Sequence, residues 1–415
     1  MENTAKPARI VQIDALRGFA LAGVALVHVT EQYLAGPTPE GFMEGINGMP
    51  DQIVMGLIFF FIQGKFFALF SILFGLSFSI QMDSAAAKGQ DFSWRFLWRA
   101  ALLLVIGYIH HLFYRGDILT IYAVLAPFLI PFNKVPKTWV LGAAALCFLS
   151  VPRFITYFVH GSGSFFGLPE GFQSPLETAY YEAVSTGPIS EVFAQNGDYG
   201  MKTKMNFQLQ IFGRFYYTFG YFLVGLWLGR IQLFRNTVEK LKSVRKTMYW
   251  LIGAFVLSGI LTGLLFSQAP QPIDFTHIMH VLAMNVSDWA NLCMAGIILC
   301  AFILLFHRPK WTKRLSFFAP YGRMALTNYI MQTIIGTFLF FGWGLGLIGQ
   351  IRSIYLVLIA LAMIALQTYF SKYWLQRYKF GPLEWLWRSA TYLEWQPFRK
   401  DGITTLEEQR DHPTN

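Results

Sequence analysis

The 415-residue chain is 54% hydrophobic and 17% aromatic but only 13% charged, too little charge to solvate the surface of a soluble protein of this size. Its net charge of +10 falls mostly in short segments between long apolar runs, so it reads as membrane topology, and no nucleic-acid partner is expected. The expected fold is all-α: a polytopic membrane helix bundle of about ten transmembrane helices, with the lipid bilayer as its first partner.

In chain order, the opening MENTAKPARIVQID lacks the charged start, short apolar core and small-residue cleavage site of a signal peptide, so the first apolar run is expected to stay as an uncleaved anchor. Spans are predicted over 16–35, 53–82, 96–114, 118–133, 138–159, 207–229, 247–267, 288–306, 321–341 and 351–371, the second being too long for one straight crossing. Lys6, Arg9, Lys88, Arg95, Arg99, Lys134 and Lys137, the run from Arg230 to Lys246, and the run from Arg308 to Arg314 then share one side. Opposite them stand only Arg115, Lys202, Lys204 and Arg352, which puts both termini in the cytoplasm. The expected location is a plasma membrane, the bacterial inner membrane, crossed many times.

This layout divides the chain into an N-terminal bundle of about six helices over 1–229, a basic cytoplasmic connector over 230–246, a C-terminal part of about four helices over 247–400, and a polar tail over 401–415. The extracytoplasmic loop 161–205 is rich in Gly, Ser and Pro and carries a short amphipathic helix near ETAYYEAV. Gly225 and Gly229 suit close helix packing, within the chain or in a homodimer. Pro382 opens a helix at the cytoplasmic interface, with Glu384 and Arg388 four residues apart among tryptophans. Cys147, Cys293 and Cys300 all lie in apolar spans, so neither a disulfide framework nor a zinc spacing is present, and no metal site is expected.

Ionisable side chains inside a span cost several kcal/mol unless paired or facing a cavity, which makes each a functional candidate. Asp14, Arg17 and His28 share one face of the first helix, with His28 about 21 Å beyond Asp14 along the axis. Glu31 and Gln32, one turn further, are placed to fix its tautomer. At the same height fall Lys65, His110 and His111, Asp117, Arg153 and Arg214, and the series Asn285, Asp288 and Asn291. Asp117 also suits a helix N-cap, and adjacency allows only one of His110 and His111 to face a common site. Such a cluster around an outward-facing cavity suits general-base chemistry on a hydroxyl or amine, and equally a proton relay. No phosphate loop, nucleophile elbow or dinucleotide fingerprint is present.

Four features in order, DALRGFALAGVALVH, GKFFALFSILFG, His110 followed by GDILTIYA, and the pair GRMALTNYIMQ and GPLEWLWR, resemble the YeiB-like membrane proteins, the domain-of-unknown-function family 418, from about residue 8 to about 400. That family resembles a wider transmembrane acyltransferase group that includes the acyltransferase-3 proteins and the lysosomal heparan-glucosaminide N-acetyltransferase. The shared feature is a first helix with an Asp-x-(Leu/Phe)-Arg start and a polar residue fourteen positions after the Asp, here Asp14, Arg17 and His28; YeiB-like proteins commonly carry Asn at the last. The resemblance implies acyl transfer from cytoplasmic acyl-CoA, with no tightly bound cofactor, to an extracytoplasmic acceptor such as a cell-envelope glycan or a small molecule. Arg17, Lys88, Arg95, Arg99 and Arg323 would hold the CoA phosphates, His28 would be the general base with Lys65, His110 and Asp117 beside it, and Lys65, Asn328 or Gln332 would face the oxyanion. Asp14, Glu31, Arg153 and Arg214 complete the expected binding set. The alternatives are a proton-coupled transporter of a small molecule or lipid, against which no internal repeat is evident, and a quinone- or lipid-binding protein without catalysis.

Overall fold

The computed structural model describes residues 10–400, apart from 37, 40, 162–164, 167–173, 211, 236 and 271–276. Lys6, Arg9, the 401–415 tail and part of the 161–205 loop lie outside the described residues.

Every regular element among the described residues is a helix, the arrangement that satisfies backbone groups internally where water is absent. In chain order they are α1 (Val11–Thr30), α2 (Met49–Phe61), α3 (Lys65–Ala86), α4 (Ser93–Phe113), α5 (Leu119–Leu125), α6 (Lys137–Phe148), α7 (Val151–His160), α8 (Pro175–Thr186), α9 (Ile189–Gln195), α10 (Met201–Leu209), α11 (Arg214–Arg230), α12 (Thr237–Gln268), α13 (Ile278–Phe306), α14 (Ala325–Phe340), α15 (Ser353–Arg377) and α16 (Pro382–Tyr392), with one- and two-turn pieces at Leu129–Phe132, Pro309–Leu315 and Ala319–Arg323. Among the described residues seven stretches are long and apolar enough to cross a bilayer: Val11–Thr30, Met49–Ala86, Ser93–Phe113, Lys137–His160, Thr237–Gln268, Ile278–Phe306 and Ser353–Arg377. Leu119–Phe132 and Ala325–Phe340 are apolar but shorter.

The differences from the predicted spans have local causes. The long run over 53–82 breaks at Gly64, whose φ of +79° ends α2 and starts α3. The run over 118–133 breaks near Pro127, and α11 starts only after Gly213, leaving α10 as a separate helix. Most of the basic connector is helical: α12 begins at Thr237 and reaches 32 residues.

Two crossings fix the bundle. A Cβ on Gly225 would stand 1.9 Å from the Ile72 carbonyl, and one on Gly75 equally close to that of Phe222, so α3 and α11 touch backbone to backbone. The Gly225–Gly229 motif is thus used inside the chain. A Cβ on Gly18 would likewise meet the Phe318 carbonyl, which seats α1 against Ala319–Arg323. Residues before and after the connector therefore share one core. By contrast α12 packs chiefly on α13 and presents Trp250, Leu257 and Leu264 outward, as a lipid-facing helix would.

The amphipathic helix near ETAYYEAV is α8, capped by Ser174, which accepts from Glu177 N. The helix opened by Pro382 is α16, but Glu384 does not pair with Arg388. It accepts from Leu326 N, Thr327 N and the Thr327 hydroxyl at the start of α14, where backbone donors lack helical partners. Arg388 turns to Gln396 and to the rings of Phe380 and Tyr392.

Candidate functional site

Two cavities lie at opposite ends of α1. The larger, about 1620 Å³, is lined by His28, Glu31, Lys65, Asp117, Lys204 and Arg214 among others. The smaller, about 260 Å³, is lined by Arg17, Ser77, Arg99, Arg323 and Trp387. Tyr329 of α14 belongs to the wall of the smaller cavity, and its ring centroid stands 6.0 Å from that of His28 in the wall of the larger. Its oxygen accepts from Ile118 N at 3.3 Å.

His28 stands in the last turn of α1 among the rings of Tyr114 at 5.1 Å, Tyr33 at 5.6 Å and Tyr329. Its Nδ1 is buried and has no hydrogen-bond partner among the described residues. The expectation that Glu31 or Gln32 fixes its tautomer is corrected: Glu31 accepts from Gln63 Nε2 at 2.7 Å, and Gln32 accepts from Gly349 N at 2.7 Å. The aromatic cage orients the imidazole by shape and leaves a ring nitrogen available.

Asp117 is the hub of a buried polar cluster. It caps α5, accepting from Leu119 N, Thr120 N and the Thr120 hydroxyl. It also accepts from His110 Nδ1 at 2.7 Å and from Lys204 Nζ at 3.1 Å. Burial opposes the Asp117 charge, but the Lys204 ammonium and the His110 hydrogen bond outweigh it and hold the carboxyl well below the usual carboxylate range. Burial in turn lowers the pKa of Lys204. His111 Nε2 donates to the Asn196 carbonyl at 2.8 Å, which leaves Nδ1 to face Lys204 Nζ at 3.4 Å. Both adjacent histidines therefore reach this cluster, one through Asp117 and one through Lys204. Neither lines the cavity; His110 stands behind Asp117 and shares the rings of Tyr114 and Tyr329 with His28.

Arg115 locks the outer helices onto this face. Its guanidinium meets the Glu177 carboxylate at 2.6 and 3.2 Å, donates to the Leu34 carbonyl at 2.8 Å, and stacks 3.8 Å from the Tyr180 ring. Tyr199 also donates to Glu177, at 2.7 Å. On the far wall Lys65 Nζ donates to the Phe59 carbonyl at 2.8 Å. Arg214 meets Asp288 at 3.1 Å. Arg153, also expected in the binding set, lines neither cavity; it is fully buried and spans Asn285 at 2.9 Å and Asp288 at 2.6 Å.

At the other end Asp14 accepts from Arg17 at 3.2 Å, and Arg17 also donates to Ser77 at 2.9 Å on the wall of the smaller cavity. Arg99 stacks 4.0 Å from the Trp387 ring. Asn328 and Gln332, expected to face an oxyanion, line neither cavity. Asn328 donates to the Tyr321 carbonyl and Ser371, and Gln332 donates to the Tyr321 hydroxyl and Gln367, so both amides tie α14 to its neighbours.

Sequence reading passed over Lys204, Tyr329, Glu177 and Thr333, the last 2.8 Å from His110 Nε2. The available signal was small: Lys204 is a cation in a polar loop, and Tyr329 lies inside GRMALTNYIMQ as one aromatic among many.

The profile of the family described as "Protein of unknown function (DUF418)" matches residues 228–394, which include Arg323, Tyr329 and Glu384. Over 406 residues the chain is 32% identical to the "Uncharacterized protein YxaH" of Bacillus subtilis (strain 168), covering 94% of this chain and 96% of that one. It is 29% identical over 405 residues to an "Uncharacterized 39.9 kDa protein in amylase 3'region" of Bacillus acidopullulyticus, with 94% and 96% covered. It is 24% identical over 412 residues to the "Uncharacterized protein YeiB" of Escherichia coli (strain K12), with 92% and 96% covered.

Proposed function

The chain belongs to the DUF418 family, and from that premise we propose that it is an integral membrane acyltransferase, moving an acyl group from cytoplasmic acyl-CoA to an acceptor on the other side. The observation that carries this reading is the pair of cavities: a basic one at Arg17, Arg99 and Arg323, and a larger one lined by His28, whose buried Nδ1 has no partner among the described residues, with Tyr329 between them. The charge bias of the connecting segments supports placing the basic cavity and both termini in the cytoplasm, ten crossings in all, in a bacterial inner membrane.

In the proposed reaction the CoA phosphates rest on the arginines and the thioester passes Tyr329. His28 Nδ1 takes the proton of the acceptor hydroxyl or amine as its oxygen or nitrogen bonds to the thioester carbon. The C–S bond then breaks, and the thiolate leaves with that proton as the free thiol of CoA. Lys65 is the donor on this wall nearest in character to an oxyanion partner, since Asn328 and Gln332 are engaged elsewhere.

The buried Asp117–Lys204–His110–His111 cluster favours a second reading, a proton-coupled transporter in which these groups pass a proton. Calorimetric titration of acetyl-CoA and longer acyl-CoAs into the purified chain separates the two. Saturable binding weakened by Arg17→Ala, with acyl transfer reduced about 10²–10⁴-fold by His28→Ala, is the expected result. Absence of binding at millimolar thioester overturns the acyltransferase reading.

A further inference from the structure

We infer that the larger cavity is a binding site for a lipid with an anionic phosphate headgroup, admitted sideways from the bilayer between α2 and α12. The first observation is the composition of the wall. Met55, Phe59 and Phe60 of α2 and Phe255, Gly259 and Thr262 of α12 line the cavity. Both helices lie at the outside of the bundle: Phe59 is 69% exposed, and none of the apolar window of α12 is buried. The wall is therefore one helix thick, and α2 and α12 meet in it through the edge-on rings of Phe60 and Phe255, centroids 5.8 Å apart. Next to that contact a Cβ on Gly259 would meet nothing within 4 Å. A gap beside an aromatic contact, opening onto lipid, admits an acyl chain without exposing backbone polar groups.

The second observation is charge. Lys65 is only 6% exposed, and the Phe59 carbonyl is the sole hydrogen-bond partner of its ammonium among the described residues. Arg214, on the same wall, shares the single carboxylate of Asp288 with Arg153 behind it, so its charge is only partly matched. Of the carboxylates that line the cavity, Asp117 is paired with Lys204, Glu177 with Arg115, and Glu31 is bonded to Gln63. The helices α3 and α11 both begin at this point, and their N-cap glycines, Gly64 and Gly213, supply no side-chain acceptor. At α3 the Lys65 and Phe66 N–H groups already bond to the Ile62 carbonyl, so the helix starts add the positive end of their dipoles rather than free donors. The buried Thr262 hydroxyl of α12 also has no partner among the described residues. A phosphodiester headgroup supplies the negative charge that Lys65 and Arg214 lack here, and the volume of about 1620 Å³ exceeds the roughly 300–1,000 Å³ of small-solute pockets.

This inference holds whichever chemistry the cavity performs, because its readout is binding without turnover; lipid bound without acyl transfer would fail only the proposed activity. The test is native mass spectrometry of the purified full chain in detergent, titrated with dioleoylphosphatidylglycerol, with dioleoylphosphatidylcholine, and with water-soluble glycerol phosphate. The anionic lipid is expected to bind about tenfold more tightly than the zwitterionic one, a preference that Lys65→Gln removes. Gly259→Trp is expected to abolish lipid binding by closing the gap, whereas Gly263→Trp, in equally open space on the same helix but off the cavity wall, is expected to preserve it. Equal affinity for the two lipids overturns the proposal, as does binding unaffected by Gly259→Trp. Glycerol phosphate competing as well as the intact lipid would assign the site to a free anion instead and overturn the lipid proposal.

Discussion

Lys204 donates to Asp117 at 3.1 Å across 87 positions of the chain, and neither side chain is more than 5% exposed. Both charges are out of water; without Lys204 the Asp117 carboxylate keeps its bonds to His110 and Thr120 but loses the cation opposite it. Lys204→Met is expected to cost about 3–5 kcal/mol of stability. Adding Asp117→Asn should restore part of it, because the double variant no longer buries a carboxylate without its ammonium partner. Thermal unfolding in detergent of both single variants and the double measures the coupling, and simple additivity would mean that the two groups act independently.

The same carboxylate sets a pH dependence. Its pKa in the folded state is depressed despite burial, by Lys204 and His110. A depressed carboxylate contributes stability that is fully present above the unfolded value of about 3.9 and is lost as pH falls toward the folded value. The melting temperature is therefore expected to drop more steeply below about pH 4 in the native chain than in Asp117→Asn. Parallel curves for the two would show that other carboxylates carry the acid transition.

Arg115 and Glu177 join the loop between α4 and α5 to α8 by a two-point contact, with Tyr199 on the same carboxylate. Glu177→Gln keeps the shape but weakens one charge-assisted pair of bonds. Amide hydrogen exchange is expected to speed up over 175–195 while α1 and α3 stay protected, which identifies the outer helices as a unit that opens locally. Uniform loss of protection through the chain would instead make this pair part of the global core.

The helix crossing at Gly75 and Gly225 tests the packing in the simplest way. Gly225→Leu forces a side chain into the Ile72 carbonyl and is expected to prevent recovery of monodisperse protein, whereas Gly142→Leu, in open space, is expected to be neutral. Size-exclusion profiles after solubilisation decide it.

Much of this architecture is legible in the sequence because hydropathy over about 20 residues reports burial in lipid directly. The breaks were less so. Gly64 and Gly213 divide apolar runs through a backbone conformation that hydropathy does not register, and α12 extends into a basic segment because lysines and arginines are good helix formers. His28 and Lys65 stand out as costly residues in apolar runs, and both line the larger cavity. Lys204 does not stand out, because a cation in a polar loop is ordinary; only folding of α10 back over α4 and α5 makes it buried. For the same reason Asn328 and Gln332 looked like cavity donors, when a buried amide serves equally well to join three helices.

The last prediction concerns the ring between the cavities. If Tyr329 separates them, reagents reaching His28 from one side should not reach Ser77, which lies on the smaller cavity's wall. With Cys147, Cys293 and Cys300 replaced by alanine, a membrane-impermeant thiol reagent added to intact cells is expected to modify His28→Cys and spare Ser77→Cys. Combining Ser77→Cys with Tyr329→Ala removes the ring and is expected to make position 77 reactive from the same side. Modification of Ser77→Cys alone would reverse the proposed orientation, and modification of both positions with Tyr329 intact would mean that the cavities are already continuous. A Ser77→Cys chain that stays unreactive after Tyr329→Ala would transfer the barrier to Leu119 and Tyr122, the other side chains of that wall contributed by α5.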